Sequence, residues 1–164
     1  MLKRLLLGAI ASLAVLSPAS AEVQEGTYDL IETVQQHMTV SIDSPWCDST
    51  PDADGGFSPG EKKIYLCTRG DVDANDHDTV RHEVWHVIQW CITPDNERYL
   101  RTVIKPGTAE WQEYVTDHLT PRRVQWIKDN YPRPMWYAEI EAFSAAKMLD
   151  ASQIEKLFIK ACVK

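Results

Sequence analysis

Two histidines four residues apart, His82 and His86, with Glu83 directly after the first, constrain this chain more than any other stretch of it. On an α-helix that spacing sends both imidazoles off one face, a turn apart, within reach of a single tetrahedral metal ion. Glu83 is displaced around the helix, where it meets a water on that ion rather than the ion itself. The competing reading is an ordinary amphipathic helix with two partly buried histidines. A helix is expected under either reading. Asp71, Asp73, Asp76 and Asp78 crowd its start, where the macrodipole favours anions. Val80, Val84, Val87 and Cys91 form an apolar stripe at 3–4 spacing, and Pro94 stops the pattern.

Residues 1–21 read as a leader rather than as part of the fold. Lys3 and Arg4 form a basic n-region, residues 5–16 an apolar core, and Ala19-Ser20-Ala21 an A-x-A cleavage site. That apolar run is too short and wrongly flanked to span a bilayer, and no later stretch is long enough. The expected mature chain is therefore residues 22–164, periplasmic or secreted, without stable membrane insertion. At this length one domain with one core is expected. Losing Lys3 and Arg4 makes a chain of net charge −7 more acidic still. With no basic patch, nucleic acid and anionic membranes are poor partners. Cys47, Cys67, Cys91 and Cys162 all lie beyond the leader, an even number that suits an oxidising compartment. Cys47 and Cys67 bracket a turn-rich loop and are expected to pair, which leaves Cys91 to Cys162. A structural zinc site is the competing use of these cysteines, but no C-x-x-C is present.

The fold class expected is α+β. Residues 27–38 carry Leu30, Ile31, Val34 and Met38 at helical spacing, and 39–42 form a short β-prone run. Residues 48–60, dense in Pro, Asp, Gly and Ser, read as loop, and 63–68 alternate as a strand. These two strands can pair into a small N-terminal sheet or hairpin packed on the histidine helix. The second half is helical: Thr108 caps one helix, Thr120-Pro121 opens another, Pro134 a third, and Asp150 with Gln153 makes a capping box for the last. Asp71-x-Asp73-x-Asn75 matches the first half of a calcium-binding EF-hand loop. However, Asp76 stands where the sharp-turn glycine belongs, and His82 where the final glutamate belongs. Asp52-x-Asp54-Gly55 is a weaker match, and solvated loop or helix capping is the better reading of both.

A catalytic zinc site needs a third protein ligand. No glycine and third histidine follow His86, so a downstream glutamate is the natural candidate. Glu139 shares a helical face with Met135, Trp136, Ala142, Phe143 and Ala146, where a charge is costly unless it is paired or on a metal. Glu141 has slightly more polar neighbours. Glu113, four residues before Asp117, lies in a segment polar enough to be a solvated face. Glu139 is favoured, with Glu113 and Glu141 as alternatives.

At these residues the chain resembles the gluzincin group of zinc metallopeptidases. His82-Glu83-x-x-His86 with the downstream helical Glu139-x-x-Ala142 is similar to the metal motifs of HtpX-type and ImmA/IrrE-type peptidases. The resemblance covers those motifs alone. Where that group often has Asp or Asn after the alanine, this chain has Phe143. It implies a minimal zincin-like domain, zinc on His82, His86 and Glu139, and Glu83 as the general base for hydrolysis of a peptide or protein substrate. Tyr137, His118 and His77 are available as oxyanion donors. The strand at 63–68, as a sheet edge, is placed to hold an extended peptide. Exchange of Glu141 for Gln is expected to leave metal and activity unchanged. A disulfide-stapled binding protein on the same scaffold, and a zinc hydrolase of a non-peptide amide, are the rival readings.

Overall fold

The computed structural model describes residues 18–70, 73–95, 98–116 and 118–163. The fold is α+β: a three-stranded sheet and, among the described residues, seven α-helices. In chain order these are α1 (Pro18–Gln35), β1 (Thr39–Ile42), α2 (Pro45–Ser49), β2 (Gly55–Ser58), β3 (Lys63–Leu66), α3 (Ala74–Ile92), α4 (Ala109–Thr116), α5 (Pro121–Asn130), α6 (Trp136–Met148) and α7 (Ala151–Cys162). Of the expected leader, residues 1–17 lie outside the described residues, and residues 18–21 form the first turn of α1.

The histidine helix, α3, is the axis of the molecule. It packs against β2 and β3 on one side and against α1, α6 and α7 on the others. Asp73 caps it, accepting from the backbone N–H groups of Asn75 and Asp76, while the Asp76 carboxylate accepts from the N–H of Asp73. These aspartates therefore satisfy helix-end donors. Asp54 likewise accepts from Asn75 and pairs with Arg69. Asp71 of the EF-hand-like run lies outside the described residues.

The amphipathic expectation for α3 is too simple. Every residue from 82 to 89 is buried. Its apolar face (Val80, Val84, Val87, Ile88) enters a core with Leu30 and Val34 of α1, Ile64 and Leu66 of β3, and Ile154 and Phe158 of α7. Its polar face (His82, Glu83, His86, Gln89) is buried as well, against α6. A helix covered all round shows no single stripe.

The sheet differs from expectation in two ways. Residues 55–58 are a strand, not loop, because Gly55 and Gly56 carry no strand signal of their own yet pair antiparallel with Leu66 and Tyr65. The sheet order is β1-β3-β2, with β1 parallel to β3, so the segment beginning at Lys63 is the central strand and β1 and β2 are its edges. Gly55 is required by a close approach. A Cβ there would come within 2.7 Å of Thr79 Cγ2, 3.0 Å of the Tyr65 carbonyl oxygen and 3.1 Å of Glu83 Cγ. Its absence lets the edge strand lie directly on the Glu83 face of α3.

The helical half follows its punctuation. Thr120 accepts from the Arg123 N–H at the start of α5, and Asp150 and Gln153 form a reciprocal capping box on α7. A 3₁₀ turn at Arg133–Met135 leads into α6. Two disulfides close the structure, Cys47–Cys67 and Cys91–Cys162. The first ties α2 to the end of β3. The second fastens α7 to the end of α3. No described helix is long and apolar enough to cross a membrane.

Candidate metal centre

α3 and α6 meet along their polar faces, and small residues make the approach possible. Ala138, Ala142, Ala145 and Ala146 of α6 are all buried. They allow the Glu139 carboxylate to reach the two imidazoles of α3. Glu139 Oε2 lies 3.4 Å from His82 Nε2 and 3.4 Å from His86 Nε2, and the two Nε2 atoms are 3.1 Å apart. Ligand atoms at zinc bond lengths on a tetrahedron stand about 3.3 Å from one another, so the three donors fit one ion. Among the described residues, this is the group of three His, Cys, Asp or Glu side chains with donor atoms close enough to hold a metal. Glu139 Oε2 is buried and has no hydrogen-bond donor of its own. A buried carboxylate so placed needs a positive charge beside it, from a protonated histidine or from a metal ion.

The same side chains are electrically coupled. Burial disfavours the His86 cation, yet the charge and hydrogen bonding of Glu139, the Glu83 charge and the Gln89 hydrogen bond together outweigh it and push the His86 pKa up to about 9. Burial also opposes the Glu139 anion, and His86 and His82 outweigh it in turn, drawing that pKa down to about 2. Glu83, buried beside them, is raised above its ordinary value by burial, against the pull of the histidines. A dication at the three donors meets one carboxylate ligand and a neighbouring carboxylate able to carry a proton.

The two histidines are supported differently. His86 Nδ1 donates to Gln89 Oε1 at 2.7 Å, an orientation fixed because the Gln89 amide nitrogen donates to Glu141 Oε2 (2.8 Å) and to the Ala138 carbonyl (3.0 Å). This hydrogen bond turns Nε2 towards Glu139, the orientation in which the neutral imidazole offers its Nε2 lone pair to a metal. His82 has no such acceptor, and its buried Nδ1 is unpartnered. The Phe143 ring lies against it instead, 4.3 Å between centroids. Phe143 thus covers this side of His82 by ring packing alone.

Glu141, the alternative ligand that the sequence offered, has its carboxylate committed to other partners. Fully buried, it accepts from Trp85 Nε1 (3.1 Å), Gln89 Nε2, and the backbone N–H groups of Val103 (2.9 Å) and Ile104 (2.7 Å). It fastens the segment between α3 and α4 to both helices of the metal centre. Glu113 is exposed and not part of the cluster.

All three donors line one cavity, and His82, with Glu83, also lines a second. The larger, about 390 Å³, is lined by Gly55, Gly56 and Phe57 of β2, Tyr99 and Leu100, and Met135. The second, about 350 Å³, shares Gly55, His82, Glu83 and Tyr131 with the first and runs between α3, α5 and α6. Of the expected oxyanion donors, Tyr137 and His118 are exposed outside both cavities, and His77 lies in a separate small pocket beside α1. The phenol that does face the centre is Tyr131. Burial and the Glu139 and Glu83 charges raise its pKa, so it stays protonated. Sequence gave little warning of it, since it sits in the turn Asn130-Tyr131-Pro132 between helices. Gln89 was legible in principle, standing three residues after His86 on the same helical face.

Neither known protein families, nor curated proteins, nor solved structures match this chain.

Proposed function

We propose that the chain is an exported, zinc-dependent metallopeptidase of gluzincin type, with His82, His86 and Glu139 as zinc ligands and Glu83 as general base. The convergence of three buried donor atoms, with Glu83 beside them at the junction of two cavities, carries this reading. Zinc, when bound, supplies the Lewis acidity that polarises a carbonyl and brings the pKa of a water to about 7. Glu83 takes the proton of the attacking water and passes it to the leaving amine, a task suited to a carboxylate whose pKa burial has raised. Tyr131, held protonated, donates to the oxygen on which negative charge develops. β2 is an edge strand lining the larger cavity, so an extended peptide can add alongside it. That role moves from the central β3, whose two edges are already occupied. Two disulfides accord with an oxidising compartment outside the cytoplasm.

The test is cleavage of casein or a peptide library by purified protein, before and after chelation and with zinc restored. Cleavage should stop with the chelator and return with zinc. In zinc-loaded Glu83→Gln it should fall by about 10²-fold or more. A wild-type protein that binds zinc yet cleaves no peptide would transfer the centre to the binding-protein reading.

A further inference from the structure

The exposed side chain of Arg123 brings a positive charge to the lining of the second cavity. Arg123 stands in the first turn of α5, its backbone N–H committed to Thr120. Its guanidinium lies 5.0 Å from the Trp126 ring centroid and 5.2 Å from that of Phe143. Phe143 is the ring packed on His82, at 4.3 Å. Arg123 is therefore held on an aromatic shelf two ring contacts from a candidate metal ligand.

The other charges along this cavity are largely spoken for. Asp54 faces Arg69 at 3.4 Å, and Asp78 is paired with both Arg81 and Lys147. Asp52 sits exposed at the rim. Arg123 has no carboxylate partner among the described residues. The two rings lie beside the guanidinium itself, and its planar fork of donors has no carboxylate on it, an arrangement that suits bidentate capture of one. Glu83 and Glu139, the nearby acids, are offset when a dication occupies the centre.

We propose that this cavity is a carboxylate-binding subsite. Arg123 receives a carboxylate of a bound peptide, either its C-terminal α-carboxylate or an Asp or Glu side chain close to the bond lying over the metal centre. The placement over a scissile bond rests on the metallopeptidase reading; the capture of a carboxylate by Arg123 does not.

Binding to zinc-loaded Glu83→Gln protein tests it without turnover. The probes are dye-labelled, alanine-rich hexapeptides in three forms: C-terminally amidated with Gln walked along the chain, the same with Glu, and uncharged side chains with a free C-terminal carboxylate. Fluorescence anisotropy should show at least one carboxylate form binding about tenfold or more tightly than its uncharged counterpart. Adding Arg123→Gln should abolish that preference and leave the uncharged peptide's affinity unchanged. Which form is preferred identifies the source of the carboxylate. The proposal is overturned if all forms bind equally or not at all, or if the preference survives Arg123→Gln. A preference that depends on Arg123 in a protein whose wild type cleaves no peptide would keep the subsite and remove the peptidase reading.

Discussion

At the scale of single residues, the centre is asymmetric. His86 is oriented by a hydrogen bond to Gln89, whereas His82 is oriented by the Phe143 ring. Removing the acceptor should therefore be felt through His86. Gln89→Leu, of similar volume, is expected to lower zinc affinity by about 10–100-fold, measured by competition with a chromophoric chelator. An unchanged affinity would show that the hydrogen bond does not set the ring. The charges make a second prediction, for protein stripped of metal. His86 has a folded pKa raised from 6.5 to about 9, so its contribution to stability is complete below 6.5 and lost as pH rises through 9. Glu139 has a pKa lowered from 4.5 to about 2, so its contribution is present above 4.5 and lost as pH falls through 2. Thermal melts of chelator-treated protein should thus decline between pH 6.5 and 9, and saturating zinc should remove that decline. A flat profile for the stripped protein over that range would contradict the His86–Glu139 coupling.

At the scale of elements, Glu141 joins what the sequence leaves separate. Its carboxylate accepts from α3 and from the backbone of the 103–104 turn, while its own helix carries the candidate ligand Glu139. Glu141→Gln places an amide N–H₂ among four donors and should destabilise the fold by about 1–3 kcal/mol, read from denaturant unfolding. Faster hydrogen exchange at Val103 and Ile104 should accompany it, because those N–H groups lose an acceptor. Wild-type stability in this variant would mean that the network carries no load. α3, α5 and α7 were legible because each is announced locally, by Asp73, Thr120, and Asp150 with Gln153 at the caps, whereas α2 fell in a stretch read as a break and loop. β2 was not. Gly55 and Gly56 are chosen for close approach to α3 and Trp46 rather than for strand propensity, and that approach exists only in the folded chain.

For the molecule as a whole, the order of construction is a polar helix buried at the centre, a sheet and three helices around it, and a disulfide at each side. The candidate ligands His82 and His86 were readable from a periodic motif. Glu139 was readable from the cost of a charge among apolar neighbours. Tyr131 and Arg123 were not, because each reaches the cavities from α5 or its end, and only the packing of α5 on α6 brings them there. The central claim is that one metal ion is held by His82, His86 and Glu139, with Glu83 beside it and not on it. Native mass spectrometry of wild type, Glu83→Gln and Glu139→Gln after identical zinc loading tests this most directly. One zinc per chain is expected in wild type and Glu83→Gln, and loss of zinc in Glu139→Gln. Zinc retained by Glu139→Gln but lost from Glu83→Gln would contradict it.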